Sequence, residues 1–184
     1  CCAFWLTASA LPAMAHPFHG ASGGLATGFA HPFLGLDHLL AMVAVGVWAV
    51  QQGGTAVWRL PVAFCTAMAV GVALGFAGVA VPLTEPFIAA SVLVLGLAIL
   101  SARRVALAYA LPLVAFFALF HGISHGMEQA LALSSWWSLA GLLSATVLLH
   151  LAGVASGAAL LSRVRVAGAP LIVTGVWLLS RALA

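Results

Sequence analysis

The chain has 184 residues, 65% hydrophobic and only 5% charged, with six Arg, no Lys and three acids. Soluble domains carry about 25% charged residues, so a water-facing surface of ordinary size is excluded and most of the chain must be solvated by lipid. A net charge of +3 gives no basis for nucleic-acid binding, and the three Cys (Cys1, Cys2, Cys65) make no disulfide framework.

Lipid cannot satisfy backbone N–H and C=O groups, so only helices or closed barrels span it. Barrel strands would read as alternating segments of about ten residues. The apolar runs here are long and continuous, which selects helices. The expected fold class is all-α: a polytopic membrane helical bundle forming a single domain over residues 16–184.

In chain order, residues 1–15 resemble the back half of a secretory signal peptide, ending in the small-x-small pattern Ala13-Met14-Ala15. Cleavage after Ala15 is expected, which leaves His16 as the first residue. Six spans follow, each near the roughly 20 residues needed to cross a bilayer. The first runs over Leu36–Val50 after a helical approach from Gly20 to Ala30, and the second over Leu60–Val81. The third covers Pro86–Ser101, the fourth Val105–Met127, the fifth Trp136–Leu161 and the sixth Gly168–Leu183. Pro61, Pro86 and Pro170 fall near span starts, where a missing N–H costs nothing. Pro112 falls inside the fourth span and predicts a kink.

Arg59, Arg103, Arg104, Arg163 and Arg165 occupy the three loops that share one side of this topology. The positive-inside rule makes that side the cytoplasm and places the N-terminus outside, in agreement with a cleaved signal peptide. Arg181 alone disagrees. The expected topology is thus multi-pass, with the N-terminus on the outer side of the membrane. Glycines recur at four-residue spacing (Gly20, Gly24, Gly28; Gly71, Gly75; Gly153, Gly157), which lets helices approach closely in lipid. Intramolecular packing is the expected use, and a homo-oligomer is left open.

With so few polar residues, their placement carries the functional signal, because ionisable groups at membrane depth are costly and face cavities or pathways. His121, His125 and Glu128 lie in FHGISHGMEQ at the end of the fourth span. Helical steps of about 100° put His125 roughly 40° from His121 and Glu128 about 20° from it on the other side. Two imidazoles and a carboxylate thus form one stripe suited to a metal, with Gly122 and Gly126 expected to keep the surface open. The second cluster is HPFLGLDH, with His31, Asp37 and His38. A break at Pro32 and Gly35 would bring Asp37 to the two imidazoles as a ligand. Equally, Asp37 could orient a ligating His from behind. The topology puts both clusters at the outer ends of spans one and four.

His16 and His19 are candidate entry residues: a free amine on His16, beside its own ring, would close a six-membered chelate. His150, near the middle of the fifth span, reads either as a hydrogen-bonded packing residue or as the next ligand along a path inward. Imidazole suits Ni, Zn, Cu and Fe rather than Mg or Ca, and the absence of thiolate near the His argues against Cu(I) and Fe–S chemistry.

HPFLGLDHLLAM followed by FHGISHGME resembles the HupE/UreJ family of hydrogenase and urease accessory proteins, the nickel and cobalt permeases. The likeness covers essentially the whole of residues 16–184. It implies a transporter rather than an enzyme, taking up Ni²⁺ (with Co²⁺ or Zn²⁺ as alternatives) and serving hydrogenase or urease maturation proteins indirectly. It also implies that His31, Asp37, His38, His121, His125 and Glu128 handle the metal. His31, Asp37 and His38 resemble the His/Asp-His element of a separate nickel–cobalt transporter family too, with one residue more between the first two groups. Two rivals remain from chemistry alone. One is an intramembrane zinc-dependent hydrolase of the ceramidase-like kind, with His ligands and an open position. The other is a b-type haem protein with axial His. Ligands at more than one depth favour transport. No nucleotide-binding motif is present, so a secondary permease or facilitated channel is expected.

Overall fold

The computed structural model describes residues 24–131, 136–161 and 163–184, and among these the chain is helical with no strand. The signal-like segment, His16 and His19 lie outside the described residues. The helices are α1 (Leu25–Leu34), α2 (Leu36–Gln52), α3 (Ala56–Phe76), α4 (Thr84–Ser101), α5 (Leu107–Leu131), α6 (Trp136–Ala159) and α7 (Gly168–Ala182). A 3₁₀ turn over Val164–Ala167 leads into α7. The last five helices, α7 together with its 3₁₀ turn, are long and apolar enough to cross a membrane. The pair α1–α2, bent by 87°, makes a sixth when counted as one broken span.

Some helix boundaries differ from those the sequence signals suggest. α3 starts at Ala56, so Pro61 sits inside the helix rather than at its start. Pro32 likewise lies within α1, and the break falls at Gly35, where φ −96° and ψ 115° leave the helical region. α5 runs on through Pro112 without interruption.

Short connections gather alternate helix ends. At one end, the Gln52 side chain donates to the Arg103 carbonyl at 3.0 Å and accepts from the Val105 N–H at 2.7 Å. The Gln51 side chain donates to the Ile99 carbonyl at 2.8 Å. Arg165 reaches the Leu100 carbonyl at 3.2 Å. These bonds tie the end of α2 to the α4–α5 turn, and the approach to α7 to the end of α4. Arg59, Arg103, Arg104, Arg163 and Arg165 therefore share one end of the bundle. Arg181, at the far end of α7, is on the other. Trp58 is exposed near the Arg end, and Trp136 and Trp137 at the opposite end, the distribution that aromatic side chains adopt at two lipid–water interfaces.

Lipid tails are as apolar as Leu, so helices associate there by close van der Waals packing rather than by hydrophobic burial. Glycine provides it. A Cβ on Gly122 would meet the Gly71 Cα at 2.9 Å, and one on Gly126 would meet the Gly75 Cα at 2.9 Å. The same backbone contact joins α2 to α6 at Gly46 and Gly153, and α4 to α7 at Gly96, Gly168 and Gly175. Gly28 and Gly141 do so between α1 and α6. Gly122 and Gly126 thus do not leave the His stripe open, as their place in the motif suggested. They close the α3–α5 seam, about 100° round the helix from the His stripe.

Replacing Gly122 with Leu should force α3 and α5 apart and cost more than the roughly 1–3 kcal/mol typical of overpacking, because the obstacle is backbone. The detergent-extracted protein should unfold at a clearly lower temperature. Leu148→Ala, on a half-exposed lipid-facing position, should change stability by less than about 1 kcal/mol.

Candidate metal centre

Three residues of α5 share a stripe: His121 and His125, one turn apart, and Glu128 beyond them. His121 is 0% exposed and His125 1% exposed, while the Glu128 side chain is 52% exposed. The stripe therefore runs from a wet end into the core. Opposite it stands the α1–α2 break. Because α1 turns by 87° at Gly35, His31 on α1 and His38 on α2 approach α5 from two directions, which a straight helix could not arrange.

The resulting contacts form a continuous series of rings. His31 Nε2 lies 2.9 Å from Glu128 Oε2. The His31 ring stands 4.9 Å from the His125 ring, His125 stands 4.3 Å from His38, and His38 stands 4.8 Å from His121. One ligand atom from each of His31, His125 and Glu128 falls within 4.8 Å of the other two. Ligands around one ion, each at about 2.0–2.1 Å, require only a small inward rotation from there. Both ring nitrogens of His125 are buried with no hydrogen-bond partner among the described residues. A buried polar group without a partner is expensive, and a cation between the rings would remove that cost.

The hydrogen bonds also fix which nitrogen of His121 faces the cluster. Ser91 spends its one proton on the Ile88 carbonyl at 2.6 Å. Toward His121 Nε2, 3.1 Å away, it can then only accept. Nε2 thus carries the ring proton, and the lone pair sits on Nδ1, which is 3.2 Å from His38 Nδ1. A partner behind the ring that sets tautomer and orientation is the usual support for a metal-ligating His.

Asp37 braces the other side. Its Oδ1 accepts the His38 backbone N–H at 2.8 Å and lies 3.8 Å from His38 Nε2. Gly35 leaves room for this arrangement, since a Cβ there would meet Asp37 Oδ1 and His38 Cδ2, each at 3.0 Å. The six residues singled out in the two motifs are thus brought together. Of the three further candidates, His16 and His19 lie outside the described residues, and His150 stands apart on α6.

Three residues at the site escaped the sequence reading. Glu85, near the start of α4, has the Ser124 hydroxyl as a hydrogen-bonding neighbour and feels the charges of Asp37 and Glu128. All three acids of the chain thus gather at one end. Glu85, Ser124 and Glu128 line a groove of about 520 Å³ between α4, α5 and the end of α7. Ser91 was one small polar residue in an apolar span. Phe64, whose ring lies 5.6 Å from His121, looks like any other aromatic in the sequence. The scarcity of acids could have marked Glu85. Nothing local could have marked Phe64.

Fold and cluster together define a multi-pass α-helical membrane protein with four imidazoles and three carboxylates at one end of its bundle. The chain matches the family model described as HupE / UreJ protein over residues 4–178, and it belongs to that family. A similar curated protein is Protein HupE of Rhizobium leguminosarum bv. viciae, 47% identical over 151 residues that cover 81% of this chain and 78% of the relative. No solved structure matches the chain.

If Ser91 holds His121 in its ligating tautomer, Ser91→Ala should weaken divalent-metal affinity about 10–100-fold without disturbing folding. A competition titration of the purified protein against a metal-sensitive dye measures this. Unchanged affinity would assign Ser91 to packing alone.

Proposed function

We propose that this chain takes up a divalent transition metal, Ni²⁺ in the first place, across a bacterial inner membrane through the His/Asp/Glu cluster. The observation that carries the reading is the ring series from His31 to His121, which offers nitrogen donors at successive depths instead of one closed shell. An ion at the wet end meets Glu128 and His31, and each further step inward exchanges one imidazole for the next. Binding that is favourable enough to enter and distributed enough to leave is what conduction needs.

The donor set supports a borderline metal. It holds imidazole and carboxylate and no thiolate, which suits Ni²⁺, Co²⁺ or Zn²⁺ and disfavours Cu(I). Cu²⁺ binds most nitrogen sites more tightly than Ni²⁺ does, so selection of nickel must rest on site geometry and metal supply. Family membership adds the biological direction, supply of nickel to hydrogenase or urease maturation.

Orientation follows from charge. Five Arg at one end make that end cytoplasmic by the positive-inside rule, so the cluster and its groove face the periplasm. The groove past Glu85 and Glu128 is then the entrance, with the acids attracting cations from outside. Since the sequence offers no nucleotide-binding motif, movement down a gradient or coupled to a second ion is the simpler driving force.

His38→Ala and His125→Ala should each abolish nickel uptake into proteoliposomes while leaving membrane insertion and the gel-filtration profile unchanged. Glu85→Gln, which removes charge from the entrance but no inner ligand, should instead raise the nickel concentration needed for half-maximal uptake. Wild-type uptake by His38→Ala and His125→Ala would reduce the cluster to polar packing. A purified protein that retains zinc and cleaves an amide-linked lipid, yet moves no metal, would favour the hydrolase reading.

A further inference from the structure

We propose that His150 is a second metal-binding station, inward of the outer cluster and separated from it by the ring of Phe64. This rests on the transport reading above and adds to it a place where the ion pauses after leaving the outer site.

His150 is 1% exposed and lies midway along α6. Its Nδ1 is 2.7 Å from the Thr146 carbonyl. A carbonyl only accepts, so Nδ1 carries the proton and the lone pair belongs to Nε2. That nitrogen is buried with no hydrogen-bond partner among the described residues. A His kept only for packing would be expected to satisfy both nitrogens. Here one is tied down and the other is left bare, which is the state a ligating imidazole must be in.

Its position continues the ring series. The Phe64 ring contacts both, with its centroid 5.6 Å from the His121 ring and 4.9 Å from the His150 ring. Along α5, His121 lies roughly 10 Å deeper than Glu128, and along α6, His150 lies roughly 21 Å in from Trp136. Phe64 is itself buried, on the helix that the glycine seam presses against α5. A buried apolar ring packed against both imidazoles is the kind of side chain that forms an apolar constriction, and such constrictions gate ion passage.

The chemistry around His150 differs from that outside. The Thr146 hydroxyl donates to the Leu142 carbonyl at 2.9 Å, and the Met68 sulfur lies 3.8 Å from its oxygen. These donors are uncharged, and the three acids of the chain all lie at the outer end. Affinity should therefore fall from the outer cluster to His150, which favours onward release over storage.

The test uses the full chain, purified in detergent and then reconstituted. Co²⁺ added to His150→Cys should produce a thiolate-to-cobalt charge-transfer band that wild type and His150→Ser lack. His150→Leu should transport Ni²⁺ at least about tenfold more slowly while the outer cluster binds Co²⁺ as in wild type. Absence of the band, or wild-type flux in His150→Leu, overturns the proposal. Should His150→Leu fail to fold, the spectrum of His150→Cys decides alone. Failure of the outer reading is separable: it appears as a wild-type protein that moves no Ni²⁺, or as His38→Ala binding Co²⁺ normally, whatever His150→Cys does.

Discussion

Everything at the site depends on helices approaching to backbone distance. In lipid there is little to gain from burying one apolar side chain against another, so association rests on van der Waals contact and on the polar groups that helices can satisfy between them. Gly71 and Gly75 against Gly122 and Gly126 bring α3 onto α5, and Gly46 against Gly153 brings α2 onto α6. The same glycines set the depth at which Phe64 meets His121 and His150. A bulkier seam would not merely loosen the bundle. It would separate the rings whose spacing makes the cluster usable.

A second constraint is the break at Gly35. A single straight helix over residues 25–52 would carry His31 and His38 on one face, roughly 10 Å apart along its axis. The 87° bend wraps them instead around His125, so that its ring touches both. Broken helices at membrane depth are tolerated where the freed backbone lines protein or a cavity, and here the break faces the cluster. Asp37 supports it by accepting the His38 N–H in the first turn of α2, where negative charge is also favoured by the helix dipole.

Charge completes the design by asymmetry. Three acids stand at the end with the cluster, and five of the six Arg stand at the other. Under the transport reading, one end attracts divalent cations and the other fixes orientation in the membrane. Under the same reading the deeper donors would be the imidazoles of His121 and His150, so that an ion moving inward would leave the carboxylates behind.

The membrane class, the helical form, five of the spans to within a few residues and the sharing of one end by the two His motifs were legible in the sequence. Hydropathy and Arg placement record the demands of the bilayer residue by residue, and the stripe of His121, His125 and Glu128 follows from helical geometry alone. What the sequence could not say is how elements distant in the chain meet. Ser91 and Phe64 belong to the site only because α3 and α4 pack where they do, and each is locally an ordinary residue; Glu85 is marked as one of three acids, but only the packing of α4 brings it to the cluster. The purpose of Gly122 and Gly126 is hidden for the same reason, since their partners lie some fifty residues earlier. The state of His150, one nitrogen bonded and one bare, is a fact of tertiary contact, because only the fold decides which atoms come within reach of a buried ring.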